Sequence, residues 1–251
     1  MSDDLVLCEN DGPIARLTLN DPDHANVLSQ AMIASLEARL AEVLAAPASR
    51  VIVLDAAGKV FCAGHDLGEM RATENLSDHE ALFARCAALM QAIGGSPKPV
   101  IAKVRRAAVA AGCQLVASCD LAFAAEGARF AVSGINLGLF CSTPAVALSR
   151  VIGGKAAMEM LLTGRFVGAA EAAFLGLINK AVAEAELDRV VDEAANAIAA
   201  KSAAAVALGK ALFRRQLELG VADAYALAGR KMAENMSFQE TKSGIDGFLG
   251  R

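Results

Sequence analysis

Hydrophobic positions in the first half of the chain fall into short runs separated by polar and glycine-rich stretches. Ile14 to Leu19 reads as a strand following the turn residues Asn10-Asp-Gly-Pro13. Ser29 is placed to cap a helix that runs to about Ala46, where Pro47 stops it. Val51-Ile-Val-Leu54 is a continuous apolar run, the pattern of a strand covered on both faces. A second helix is predicted from about Asp78 to Ile93, ending at Gly94-Gly95. Val100 to Val104 repeats the buried-strand pattern, a helix follows near 111–118, and Leu121 to Ala125 completes the series. Strand, loop, helix and strand in this order predict an α/β core of stacked crossover units.

The second half changes character. Gly168-Ala-Ala-Glu171 opens a short helix that Gly176 closes. Leu187, Val190, Val191, Ala194 and Ile198 follow a helical stripe, and residues 203–248 offer two or three further amphipathic helices. Met232, Met236, Phe238 and Phe248 are expected to serve core or oligomer packing there. No Pro- or Ser-rich linker separates the halves, so the expected organisation is an α/β core over 1–195 and a helical extension over 196–251.

Composition narrows the class. Apolar residues make up 55% of the 251 positions, charged residues 21%, and the mean hydropathy is +0.41, values that exclude a disordered chain. Ala, Leu and Val carry that apolar content while aromatics supply 4%, so a surplus of apolar surface is expected to meet another subunit. Twenty-four basic against 28 acidic residues leave a net charge of −4 without a basic face, which argues against nucleic acid as a partner. Six cysteines and three histidines are scattered without metal-ligand spacing, so no metal is expected and the thiols read as free in a reducing compartment. Residues 130–149 carry no formal charge, but Ser133, Asn136, Ser142, Thr143 and Pro144 interrupt them, and no membrane span is expected. The acidic start, Met1-Ser-Asp-Asp4, lacks the basic region of a signal peptide; a soluble cytoplasmic protein is the expectation.

Common catalytic signatures are missing. There is no G-x-G-x-x-G or G-x-x-x-x-G-K-[ST] string and no G-x-S-x-G elbow. Two segments stand out instead, each between a buried strand and a helix: Gly58-Lys-Val-Phe-Cys-Ala-Gly-His-Asp-Leu67, and Ala107 to Asp120 with its Ala110-Ala-Gly-Cys-Gln114 stretch. Small residues allow close approach to the backbone, and a helix start presents unpaired N–H groups. Two such segments on neighbouring strands have the makings of an oxyanion hole, two peptide N–H groups aimed at one carbonyl oxygen.

These residues also carry a resemblance. Phe61-Cys-Ala-Gly-His-Asp-Leu67, Asn26-Val-Leu28, Ala111-Gly-Cys-Gln-Leu-Val-Ala-Ser-Cys-Asp120, Asn136-Leu-Gly138 and Leu162-Thr-Gly-Arg165 together resemble the crotonase (enoyl-CoA hydratase/isomerase) superfamily over about residues 10–250. Gly138-Leu-Phe-Cys-Ser-Thr-Pro144 is similar to its enoyl-CoA hydratase domain-containing protein 3 subgroup. The resemblance implies an α/β crotonase-like spiral of ββα units with a C-terminal α-helical trimerisation region, assembled as a homotrimer or dimer of trimers. It implies an acyl-CoA or enoyl-CoA thioester as partner, CoA entering as part of the substrate and no separate cofactor. By motif position the oxyanion donors fall on the N–H groups of His65 and Ala111. Ala63, Asp66 and Leu67 then lie along the CoA path, His24, Ala25 and Val27 line a loop over the pantetheine, and Lys59 is a candidate phosphate contact.

Two departures bear on chemistry. The family's paired hydratase glutamates match Gln114 and Gly134 here, and neither takes a proton. Asp66 is expected to fix its loop, Glu69 to be solvated, Thr143 to cap the helix before Pro144, Arg165 to be structural and Asp120 to anchor a strand start. Cys141 and Ser142 border the acyl end by the resemblance, and Cys141 and His65 are the candidates for a substitute nucleophile or base. Three readings remain open: a lyase or isomerase of the hydratase type with a substitute acid and base, a non-catalytic CoA-ester binding protein, and another crotonase reaction such as thioester hydrolysis.

Overall fold

The computed structural model describes residues 4–250; Met1–Asp3, part of the segment read above for a signal peptide, lie outside the described residues. In chain order the elements are β1 (Val6–Asp11), β2 (Ile14–Leu19), α1 (Gln30–Ala45), β3 (Val51–Ala56), β4 (Val60–Cys62), α2 (Leu67–Ala72), α3 (Leu76–Gly95), β5 (Val100–Val104), β6 (Ala107–Val109) and α4 (Ala111–Ser118). There follow β7 (Leu121–Ala125), β8 (Arg129–Ala131), α5 (Ser142–Leu148), α6 (Gly154–Thr163), β9 (Val167–Gly168), α7 (Ala169–Leu175), β10 (Lys180–Val182) and α8 (Leu187–Ala199). Three helices end the chain: α9 (Ala203–Gln216), α10 (Val221–Met236) and α11 (Gln239–Phe248).

A six-stranded sheet in the order β1-β2-β3-β5-β7-β10 is parallel except for the β1–β2 hairpin. Its continuous apolar runs are explained by cover on both faces. Ile14, Val51, Val53 and Ile101 pack on Leu187, Val191 and Ala195 of α8. The alternate residues Leu17, Leu19, Ile52, Leu54 and Ala102 join Met32, Leu36, Leu89 and Ile93 of α1 and α3 in the main core. Ser29 caps α1 as its sequence position predicts, accepting from the Met32 N–H at 3.1 Å.

A second sheet is present that the hydrophobic pattern does not predict. Strands of two or three residues, β4, β6, β8 and β9, pair in that order, with β4 parallel to β6 and β6 parallel to β8. Such short strands carry no readable period, yet Val60 against Ala107 and Cys62 against Ala108 bring the two chemistry-bearing segments side by side.

The expected division at 195/196 falls inside α8, and the three helices after it, α9 to α11, contain no buried residue. Helix α9 is pinned to the core by charge. Lys210 Nζ donates to Asp120 Oδ2 at 2.6 Å and Arg214 to Asp120 Oδ1 at 3.2 Å, while Asp120 Oδ2 also accepts from the Val100 N–H. Asp120 thus anchors a strand start, as expected, and a helix as well. Across α9 to α11, Phe213, Tyr225, Met232 and Phe248 are exposed, so they are not core of this chain.

Candidate functional site

The first segment is held from below by Asn26. This residue is fully buried with φ +52°; its Nδ2 donates to the carbonyls of Ala57 and Val60, both at 2.8 Å, and its Oδ1 accepts from the Asp21 N–H. Ala25 accepts from the Ala63 N–H at 3.1 Å, and Leu28 donates to the Gly64 carbonyl at 2.7 Å. Residues 25–28 therefore clamp 57–64, a role for Asn26 that the motif match alone did not assign. Asp66 caps α2 by accepting from the N–H groups of Gly68 and Glu69, as expected of a loop-fixing carboxylate. Glu69, expected to be solvated, makes an exposed contact in which it accepts from the Gln30 N–H at 2.8 Å, placing an anion at the start of α1.

The second segment turns through Ala110, whose φ +49° and ψ −115° belong to a region that only glycine enters freely. The surroundings hold it there: the Ala110 N–H donates to the Ala131 carbonyl at 2.8 Å and its carbonyl accepts from the Gln114 N–H. Strain of this kind costs on the order of 1–3 kcal/mol. Its consequence is that α4 starts at Ala111 with the first peptide N–H clear of the helix ladder.

The two segments press on each other. A Cβ on Gly112 would lie 2.2 Å from the Cys62 carbonyl oxygen. A Cβ on Gly64, itself at φ +100°, would lie 2.9 Å from the Ala110 Cβ and 3.4 Å from the Ala111 nitrogen. His65 follows directly. Among the described residues neither the His65 nor the Ala111 peptide N–H donates to any acceptor.

The His65 ring lies edge-on to Phe83 of α3, centroids 5.5 Å apart, and neither ring nitrogen has a partner at hydrogen-bond geometry. Burial outweighs the opposing influence of the Leu28 backbone and Glu69, and holds its pKa below the usual histidine value. Gln114 is buried in α4, and its Oε1 has no partner either. Position 134 is closed: a Cβ there would lie 2.5 Å from the Leu139 carbonyl oxygen and 2.9 Å from Cys141 Sγ. The Gly134 N–H points at that sulfur, 3.3 Å away, and its carbonyl accepts from the Leu139 N–H.

The remaining sequence-selected residues differ in burial and in partners. Cys141 is the residue before α5, which begins at Ser142, so the cap expected at Thr143 lies two residues earlier. Burial outweighs the opposing Gly134 N–H and raises the pKa of the Cys141 thiol, which a thiolate nucleophile would need lowered. The Ser142 hydroxyl donates to the Phe140 carbonyl and is exposed. His24, Lys59 and Leu67 are exposed, while Ala25, Val27 and Ala63 are half-buried. The Asp21 carboxylate, 2.8 Å from His24 Nδ1, raises that imidazole's pKa. Arg165 is structural, paired with Glu159 at 2.8 Å and Glu171 at 2.6 Å. No group of three His, Cys, Asp or Glu among the described residues is placed to hold a metal ion.

A parallel sheet cross-braced by a small second sheet, with glycine-tight segments at the strand ends and a helical tail, defines the crotonase fold. A crystal structure of an enoyl-CoA hydratase from Mycobacterium smegmatis superposes with a TM-score of 0.96 at 53% identity, over 98% of this chain and 96% of that one. Human enoyl-CoA hydratase domain-containing protein 3 gives 0.94 at 42% identity over 98% and 97%. In sequence, the mitochondrial protein of that name from Rattus norvegicus is 42% identical over 96% of this chain and 80% of its own. The model of the enoyl-CoA hydratase/isomerase family matches residues 9–251, and the chain belongs to that family. No described helix is long and apolar enough to cross a membrane.

Proposed function

We propose that this chain binds an acyl-CoA or enoyl-CoA thioester and acts on it as a lyase or isomerase of the hydratase type, without the two-carboxylate chemistry of ordinary hydration. The observation that carries this reading is the pair of unclaimed N–H groups, on His65 and Ala111, next to a strained Ala110. Fixed dipoles in a water-poor site stabilise an enolate-like oxygen anion, and losing one donor costs roughly 3 kcal/mol of transition-state stabilisation. Ala63, Asp66 and Leu67 border the CoA path, His24, Ala25, Val27 and Lys59 its rim, and Cys141 and Ser142 the acyl end.

Proton transfer falls to a group other than a carboxylate at 114 or 134. Gln114 orients a water or substrate polar group through its unpartnered Oε1. His65 is neutral at pH 7 because burial lowers its pKa, and it is the base in this reading. No cofactor beyond the thioester's own CoA is required. Three final helices without a buried residue favour self-association as a homotrimer or dimer of trimers, and six free cysteines favour a reducing, cytoplasm-like compartment.

Exchange of α-hydrogens of butyryl-CoA in D2O, followed by mass spectrometry, tests the reading. Exchange is expected in the parent, at least 100-fold less in Ala111→Pro, and a loss of rate as pH falls through the lowered His65 pKa. His65→Phe should remove that limb together with the exchange. Acyl-CoA affinity without exchange or product would favour the second reading, a non-catalytic CoA-ester binder, which the closure at Gly134 supports.

A further inference from the structure

Away from these segments, a cavity of about 300 Å³ opens where the loop after α1, the loop before β5 and the α8–α9 junction meet. It lies beside the N-terminal ends of β3 and β5, whereas the segments described above leave from the C-terminal ends of those strands. Arg50, Lys98 and Lys201 line it and, among the described residues, no carboxylate does, in a chain whose net charge is −4. Lys98 Nζ is spent on the Val43 and Ala46 carbonyls at the end of α1, 2.6 Å from each. Arg50 donates to the Lys201 carbonyl, and among the described residues neither Arg50 nor Lys201 has a carboxylate partner.

The first turn of the 14-residue α9 meets the same space. Ser202 takes the N–H groups of Ala205 and Val206 and its hydroxyl donates to the Glu240 carboxylate, leaving the N–H groups of Ala203 and Ala204 without acceptors among the described residues. An independent observation points to a ligand. Ser49, also in the lining, is only 4% exposed, and its hydroxyl has no hydrogen-bond partner. The other walls are apolar, formed by Pro47, Pro97, Ile198 and Val206.

The geometry points to a second binding site, for a small monocarboxylate with an aliphatic tail. The carboxylate sits against Arg50, Lys201 and the start of α9, and Ser49 donates to it after rotation about its own Cα–Cβ bond. The tail lies along the prolines and Val206. At the ~30 Å³ that a water occupies in the liquid, the cavity has room for on the order of ten heavy atoms. A bare inorganic anion would leave the apolar walls unused, and a neutral alcohol would leave the cations unpaired. The site is independent of the thioester reading and stands if no CoA ester binds.

Calorimetric titration of the full chain with hexanoate, acetate and 1-hexanol tests it, in the presence of saturating CoA to occupy the thioester face. Hexanoate is expected to bind once per chain and at least tenfold more tightly than either control. Arg50→Gln and, separately, Ala207→Phe, which fills the cavity without removing a charge, should each weaken it at least tenfold. Because Arg50 also holds the Lys201 carbonyl, Ala207→Phe decides if Arg50→Gln fails to fold. Equal affinity for acetate, equal affinity for hexanol, no binding at millimolar hexanoate, or undiminished binding by Ala207→Phe would each overturn the proposal.

Discussion

On one side of the candidate site, the segment Cys62–His65 and the start of α4 press together until Gly112 has no room for a Cβ against the Cys62 carbonyl. On the other side, position 134 is just as tight, but the Leu139 carbonyl and the Cys141 thiol fill it. The same closeness has opposite results. Around Gly64 and Gly112 it leaves two peptide N–H groups unclaimed, whereas around Gly134 it removes the space a side chain would use. The two positions thus differ in what the packing leaves: unclaimed backbone donors around Gly64 and Gly112, and no room for a carboxylate at 134.

The comparison breaks most easily at Gly112. Gly112→Val drives a branched side chain into backbone that has no alternative position, and a loss of about 3 kcal/mol or more of stability is expected in urea denaturation. A milder loss would mean that the contact with Cys62 yields. Gln114→Glu combined with Gly134→Glu probes the opposite side. Restoring both carboxylates by composition should give no crotonyl-CoA hydration, with a further loss of about 1–3 kcal/mol, since the second side chain must displace Leu139. Hydration at a measurable rate would show that the 133–141 segment moves aside. Ala110→Gly is the gentlest change: relief of the unfavourable φ should raise stability by about 1 kcal/mol, read as a higher thermal midpoint. An unchanged or lowered midpoint would mean that Ala110 is not strained.

Much of this architecture was legible before any coordinates. The runs at 14–19, 51–54, 100–104 and 121–125 are strands, and Ser29, Pro47 and Gly176 punctuate helices where they were expected to. These features are local: a cap, a proline or a four-residue apolar run acts through neighbours in sequence. The small sheet was not legible, because β4, β6, β8 and β9 have two or three residues each and owe their pairing to partners 22 to 47 positions away. The hydrogen bond of Glu69 was not legible for a related reason. Its partner, the Gln30 N–H, lies 39 residues distant, and a carboxylate on a short amphipathic stretch looks solvated until the two helices are brought together.

By itself the order of residues determined the family, the α/β core and the two segments to watch, since motif identity and periodicity are properties of the chain alone. Whether Gly134 was an empty slot or a filled one, and whether the N–H groups of His65 and Ala111 were spent or free, only the tertiary structure decided. Both turn on contacts of a few ångströms between distant stretches of backbone. Composition cannot encode such contacts, because packing rather than residue type sets which atom reaches which.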